Sequence, residues 1–182
     1  NDQLFFEGTG ISRGIDFLIQ KKVGKYSGWL GYTLSEVVHS FPDLTDNPFY
    51  ALNDQRHEIK IVNVLKAGRW DLGATWVYGS GKPYTAPKGI YTIKLLDGRE
   101  TEYVNVGEKN GPRLAPYHRL DLSATYNFNM GSGNGSMGLS LFNLYNRSNT
   151  WYKEFEIIDS EMIETNINYL GFTPSLFLNI SF

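Results

Sequence analysis

Seven stretches of the chain alternate apolar and polar residues, and the connections between them alternate short and long. The stretches are Ile11–Lys21, Tyr26–Glu36, Gln55–Leu65, Trp70–Tyr78, Tyr117–Phe128, Met137–Tyr145 and Asn168–Phe182. A period of two means a β-strand, because successive side chains point to opposite faces of a sheet. Lys21–Lys25, Lys66–Arg69 and Asn129–Gly135 are tight, Gly- or Lys-containing turns, whereas Val38–Asp54, Gly79–Pro116 and Arg147–Thr165 are long. Short turns between strands dictate antiparallel neighbours. The second long connection predicts a small hairpin, with Ile90–Leu96 and Glu102–Val106 flanking the turn signal Asp97-Gly98.

The strands are amphipathic in an unusual way. Trp70, Leu72, Ala74, Trp76 and Tyr78 share one face, opposite Asp71, Gly73 and Thr75, so aromatics stand at both ends of an apolar row. In the last stretch Phe182, Ile180, Leu178, Leu176, Pro174, Phe172 and Leu170 share a face over a length well beyond the usual strand of about 5–6 residues. A tilted strand crossing a bilayer needs roughly 9–11 residues. Aromatics are 15% of the chain, with twelve Tyr, eleven Phe and four Trp. The mean hydropathy of −0.32 looks soluble, but a membrane barrel presents only alternate residues to lipid and averages the same way. A net charge of −2 gives no basic footprint for nucleic acid, and the absence of Cys excludes disulfides and thiolate metal sites. No apolar run is long enough for a transmembrane helix.

The stretches GISRGIDFLIQKK, GWLGYTLSE, QRHEIKIVNVLKAGRWDLGATWVYGSGKPYTAP, RLAPYHRLDLSATYNF and LSLFNLYNRSNTWY, in this order, resemble the C-terminal β-barrel of TonB-dependent outer-membrane receptors of the Bacteroidetes kind. The ending on Ile180 and Phe182 resembles the terminal assembly signal of outer-membrane barrels, with Phe177 standing where that signal often has a small residue. The resemblance implies an all-β, antiparallel, up-and-down transmembrane barrel of 22 strands around an N-terminal plug. It imports a scarce nutrient (siderophore-iron, cobalamin, glycan or peptide) with energy relayed by TonB. It places the protein in the bacterial outer membrane with its C-terminus periplasmic, and lists as partners outer-membrane lipid, TonB, the nutrient and a possible surface lipoprotein. At about 26 residues per strand, 22 strands need roughly 570 residues. Residues 1–182 are therefore expected to form the C-terminal segment of that barrel, without plug or upstream strands. Seven strands cannot close antiparallel, which predicts an open sheet with no ladder between Gly14–Gln20 and Leu170–Ile180.

Candidate ligand contacts are the loop aromatics Phe49, Tyr50, Trp151 and Tyr152 and the lumenal charges Arg119 and Asp121, the latter grouped with Arg56, Glu58 and Lys60. Loop-to-loop packing and ordinary polar lining of a water-filled barrel explain the same residues. The acidic run Glu154, Glu156, Asp159, Glu161 and Glu164 suits calcium or a solvated loop. His39, His57 and His118 are dispersed, so no metal or cofactor is expected, and no catalytic constellation is readable. Two other functions compete. A small outer-membrane barrel with a structural or adhesive role needs an eighth strand that Leu4–Glu7 is too short to supply. A soluble carbohydrate-binding β-sandwich needs the apolar faces paired in one core.

Overall fold

The computed structural model describes residues 6–131 and 133–181, all of them strand, turn or coil with no helix. Seven long strands build one antiparallel sheet: β1 (Thr9–Lys21), β2 (Tyr26–Ser40), β4 (His57–Ala67), β5 (Trp70–Gly79), β8 (Tyr117–Met130), β9 (Gly133–Phe142) and β12 (Thr173–Ser181). Each pairs with the next long strand in sequence, and a short β3 (Phe49–Tyr50) adds to β2. Two hairpins stand apart, β6 (Pro87–Lys94) with β7 (Glu100–Val106) and β10 (Thr150–Ile158) with β11 (Glu161–Asn168). Among the described residues no ladder joins β1 to β12, so the sheet is open.

The register carries the sequence alternation across the whole sheet. Phe17, Tyr32, Ile59, Tyr78 and His118 form one row through successive rungs. Tyr26, Leu65, Leu72, Ala124, Leu139 and Leu176 form a parallel row on the same face. Trp70, Tyr126, Met137 and Leu178 lie in the row beyond it. Aromatics thus edge this face at both ends: Trp70 lies 4.9 Å from Tyr126, and Phe17 stacks on Tyr32 at 6.3 Å. Eight residues separate Trp70 from Tyr78, which at the usual strand rise is about 26 Å. The opposite face carries Asp16, Thr33, Lys60, Thr75, Asp121 and Ser123.

Burial is inverted relative to a water-soluble domain. Among the described residues the buried apolar side chains are Ala51 and Pro83, while Asp54, Asn110, Asn143 and Asn149 are buried polar ones. Ile19, Leu176 and Leu178 of the apolar face are 72%, 84% and 62% exposed. Loop bases, rather than a hydrophobic core, hold the buried residues.

Four expected boundaries are corrected. β2 runs on to Ser40, because Val37 and Val38 continue the ladder with β1 and β3; the first long connection therefore starts after Ser40. Of the turn expected over Asn129–Gly135, Asn129, Met130 and Gly133–Gly135 belong to the ladder, which reaches the rung Met130↔Gly133, and β9 ends at Phe142 instead of Tyr145. Gly135 belongs to the strand because the Phe128 ring lies over it, 2.4 Å from where a Cβ would be. The terminal strand begins at Thr173 rather than Asn168. Arg147–Thr165 is no plain loop, since it contains most of the hairpin β10–β11. The hairpin expected at Asp97-Gly98 is present, with Gly98 at φ 86° and Arg99 donating its N–H to the Asp97 carboxylate at 3.1 Å. Phe177 faces the polar side and covers Gly138, a position where any Cβ would meet its ring. Ile180 pairs with Gly135, and Phe182 lies outside the described residues.

Candidate functional site

The three long connections meet at one end of the sheet, each fixed by a buried polar side chain at its base. In the first, Asp54 is wholly buried: one oxygen accepts the Val37 N–H at 2.7 Å and the other pairs with Arg113 at 2.5 Å. Arg113 belongs to the second connection and also donates to the Gly81 carbonyl at 3.1 Å, with its guanidinium 4.6 Å above the Tyr50 ring. Asn110, at φ 53°, donates to the Tyr50 carbonyl at 2.7 Å. Tyr50 thereby joins the first connection to the second, and the Arg56 guanidinium lies 5.8 Å from the same ring. Phe49 packs on Phe41 and His39, beneath the Lys109 ammonium.

The third connection is fixed by the asparagines of N-L-Y-N-R-S-N. Asn143, wholly buried and at φ 51°, donates to the carbonyls of Arg147 and Leu170 and accepts the Arg147 N–H. Asn146 accepts the Phe172 N–H at 2.8 Å, and Asn149 accepts from and donates to the His118 backbone. Asn and Asp adopt the left-handed conformation more readily than other side-chain-bearing residues, and they bond their own backbone surroundings. This knot explains why β12 starts late: the backbone groups of Leu170 and Phe172 are taken by side chains. Asp54, Asn110, Asn143 and Asn149 escaped the sequence reading; clustered Asn around turns was the available signal.

Close approach also shapes the second connection. A Cβ at Gly81 would sit 1.7 Å from the Leu114 carbonyl oxygen, where this segment runs beside the isolated bridge Pro83↔Arg113. Gly81→Ala should separate the two strands of this crossing, at roughly 1–3 kcal/mol of overpacking. Limited proteolysis should then cut within residues 80–115 while the seven-strand ladder survives; wild-type resistance there would show that the crossing is unimportant.

The six candidate contacts divide. Trp151, Tyr152 and Arg119 line two adjoining hollows that share Lys82, Leu114, Trp151 and Tyr169. Phe49 and Tyr50 do not line these hollows; they pack connection against connection. Asp121 is occupied on both oxygens, by Arg119 at 2.9 Å and by the Asn143 N–H at 2.9 Å. Arg119 also donates to the Tyr117 hydroxyl at 2.8 Å and lies 4.1 Å over Phe142. The charges expected to form one lumenal network instead form local pairs: Arg119 with Asp121, and Lys60 with Glu58 at 2.5 Å. Arg56 turns away to Glu36, at 2.7 Å.

The larger hollow, ≈ 620 Å³, lies between the second and third connections. A β-bulge builds its wall. Thr150 opposes Asn168 and Tyr152 opposes Ile167, so Trp151 is the extra residue and the two consecutive aromatics both reach the hollow. Bulges re-aim side chains in this way. Tyr84 and Phe155 stack across the gap at 6.4 Å and 11°. Lys153 pairs with Glu164 and sits 5.3 Å over Tyr84; its bond to Glu164 holds the ammonium above its ordinary range. Partial burial, followed by the Glu154 carboxylate, raises the Tyr152 phenol. No group of three His, Cys, Asp or Glu suited to a metal occurs among the described residues. No family model, curated protein or solved structure matches the chain.

Proposed function

We propose that the chain forms part of the transmembrane β-barrel of a TonB-dependent outer-membrane receptor, importing a scarce nutrient through a plugged pore. The observation that carries the membrane part is the apolar face of the long sheet. It is exposed, continuous across seven strands and edged by aromatics about 26 Å apart along the strand, which at a tilt of about 40° covers roughly 20 Å of the ~25 Å apolar band of outer-membrane barrels. An apolar patch of that extent is rare on a soluble monomer. The near absence of buried apolar side chains speaks against a sandwich, whose two sheets would share a dry core.

The edges of β1 and β12, unpaired among the described residues, carry the rest of the reading. A row of open N–H and C=O groups in hydrocarbon costs several kcal/mol per group, so further strands pair with both edges in the membrane. The importer identity rests on the sequence resemblance, and the three side-chain-fixed connections at one end of the sheet suit a ligand-facing mouth. In this reading the tight turns at Lys22–Lys25, Gly68–Arg69 and Gly131 are periplasmic and the long connections extracellular.

Residues 1–182 contain no Cys, so a single substitution introduces the one thiol of this segment. Leu96→Cys, at the fully exposed tip of β6–β7, should react on intact cells with a membrane-impermeant maleimide, and Arg69→Cys only after lysis. Labelling in the reverse pattern would invert the topology; labelling of both on intact cells would remove the membrane barrier from between them.

A further inference from the structure

We propose that the hollow between the second and third connections binds a small anion carrying a flat aromatic ring. This deepens the importer reading by naming the ligand class at its mouth. The binding is a property of the hollow alone, so its failure is separable from failure of the topology test above.

Charge selects the anion. Lys82, Lys109 and Lys153 line the hollow, and no acidic side chain does. The Lys153 ammonium is matched by Glu164, but among the described residues Lys82 and Lys109 form no ion pair, and the one aromatic face that Lys109 meets, Phe49 at 5.1 Å, carries no charge to neutralise it. Two unneutralised ammonium groups on one concave surface attract an anion that their neighbours do not already supply. The acidic run of the third hairpin does not cancel them. Glu154 meets the Tyr152 hydroxyl and Glu156 projects away from the face of Lys153 and Phe155, and among the described residues neither forms an ion pair with a lysine.

Shape selects the ring. Trp151, 57% exposed, leans against Tyr169 at 5.8 Å and meets Tyr152 edge-on at 5.0 Å, so its face is held by neighbours while remaining open. A pre-positioned aromatic loses little rotamer freedom on stacking. The bulge at Trp151 matters because a regular strand would turn one of these two aromatics to the far side. The hydroxyls of Tyr84 and Tyr152 and the Asn110 side chain lie around the same hollow, but Asn110 is engaged by Tyr50 and Thr85, so the cations are the main polar determinant.

The test is calorimetric titration of the intact barrel that contains this chain, in detergent micelles, with four probes: phenyl phosphate, inorganic phosphate, benzyl alcohol and glucose 6-phosphate. Phenyl phosphate should bind about tenfold more tightly than each of the others, since stacking on an aromatic and attraction to the cations act together. Lys82→Gln with Lys109→Gln should weaken it about tenfold without affecting benzyl alcohol, and Trp151→Leu should weaken it by a similar factor without affecting inorganic phosphate. Strand content by circular dichroism checks that each variant is folded. Equal binding of phenyl and inorganic phosphate would remove the ring, and equal binding of phenyl phosphate and benzyl alcohol would remove the charge. Tighter glucose 6-phosphate would replace the aromatic ligand by a sugar, and unchanged affinity in all variants would place the site elsewhere; each result overturns the proposal.

Discussion

Arg113→Ala should open the joint between the first two long connections, raising hydrogen exchange at Val37 and across residues 49–54 by about a hundredfold. Asp54 is wholly buried, with one oxygen on Val37 N–H and the other on Arg113. Removing one partner of a buried pair leaves an uncompensated charge, at about 3–5 kcal/mol. Arg113 keeps 29% of its side chain exposed, so water can replace part of it and the lower end applies. About 3 kcal/mol is a factor of roughly a hundred in a local opening equilibrium. The cost is local because the long ladders contain neither residue. Arg113→Ala also removes the cation over Tyr50 and a bond to the Gly81 carbonyl. The double variant with Asp54→Ala should therefore recover only part of the loss. A double variant as costly as the two singles added together would show that the carboxylate and guanidinium are not coupled.

The seven strands were legible because each alternates over eight or more residues and the face assignment follows from parity alone. Trp70–Tyr78 and Tyr117–Phe128 read correctly for that reason, and the register then placed Leu72 beside Ala124 and Thr75 beside Asp121. What failed was local. The hairpin β10–β11 turns at Asp159-Ser160, both left-handed at φ 51° and 62°. Such turns are signalled by Asn-Gly or Asp-Gly, and Asp-Ser within an acidic run reads as a solvated loop. The late start of β12 was illegible for a different reason. Asn143 and Asn146 withdraw the backbone of Leu170 and Phe172 from the ladder, and no alternation pattern records competition from a side chain some 26 residues away. The site was half legible. Trp151 and Tyr152 stood out as aromatics, but their joint orientation depends on a bulge, and the lysines facing them come from another connection.

The largest effect should come from charge on the apolar face. Leu72→Arg places a guanidinium in the row Leu65, Leu72, Ala124 and Leu139, two rungs inside the Trp70–Tyr126 aromatic edge. Leu122→Arg places it nearer mid-height, where Leu122 lies between Ala74 and Leu141. Charge on the lipid side of a barrel costs roughly 2–4 kcal/mol at the midplane and about 0–1 near the interfaces. Leu122→Arg should therefore reduce assembly more than Leu72→Arg, whose side chain reaches the headgroups by snorkelling past the aromatic edge. Thr75→Arg and Ser123→Arg are the controls, since Thr75 opposes Asp121 and Ser123 opposes Gly73 on the polar face. There a guanidinium meets carboxylate and water instead of hydrocarbon. Heat-modifiable mobility on a gel and the yield of folded protein in the outer-membrane fraction give the readout. The expected order of folded yield is Thr75→Arg and Ser123→Arg highest, Leu72→Arg intermediate and Leu122→Arg lowest. A soluble domain with these exposed faces would tolerate all four alike, because an arginine at an exposed position costs little in water. Equal yields would thus take away the physical basis for placing this sheet in a bilayer, whatever the family resemblance implies.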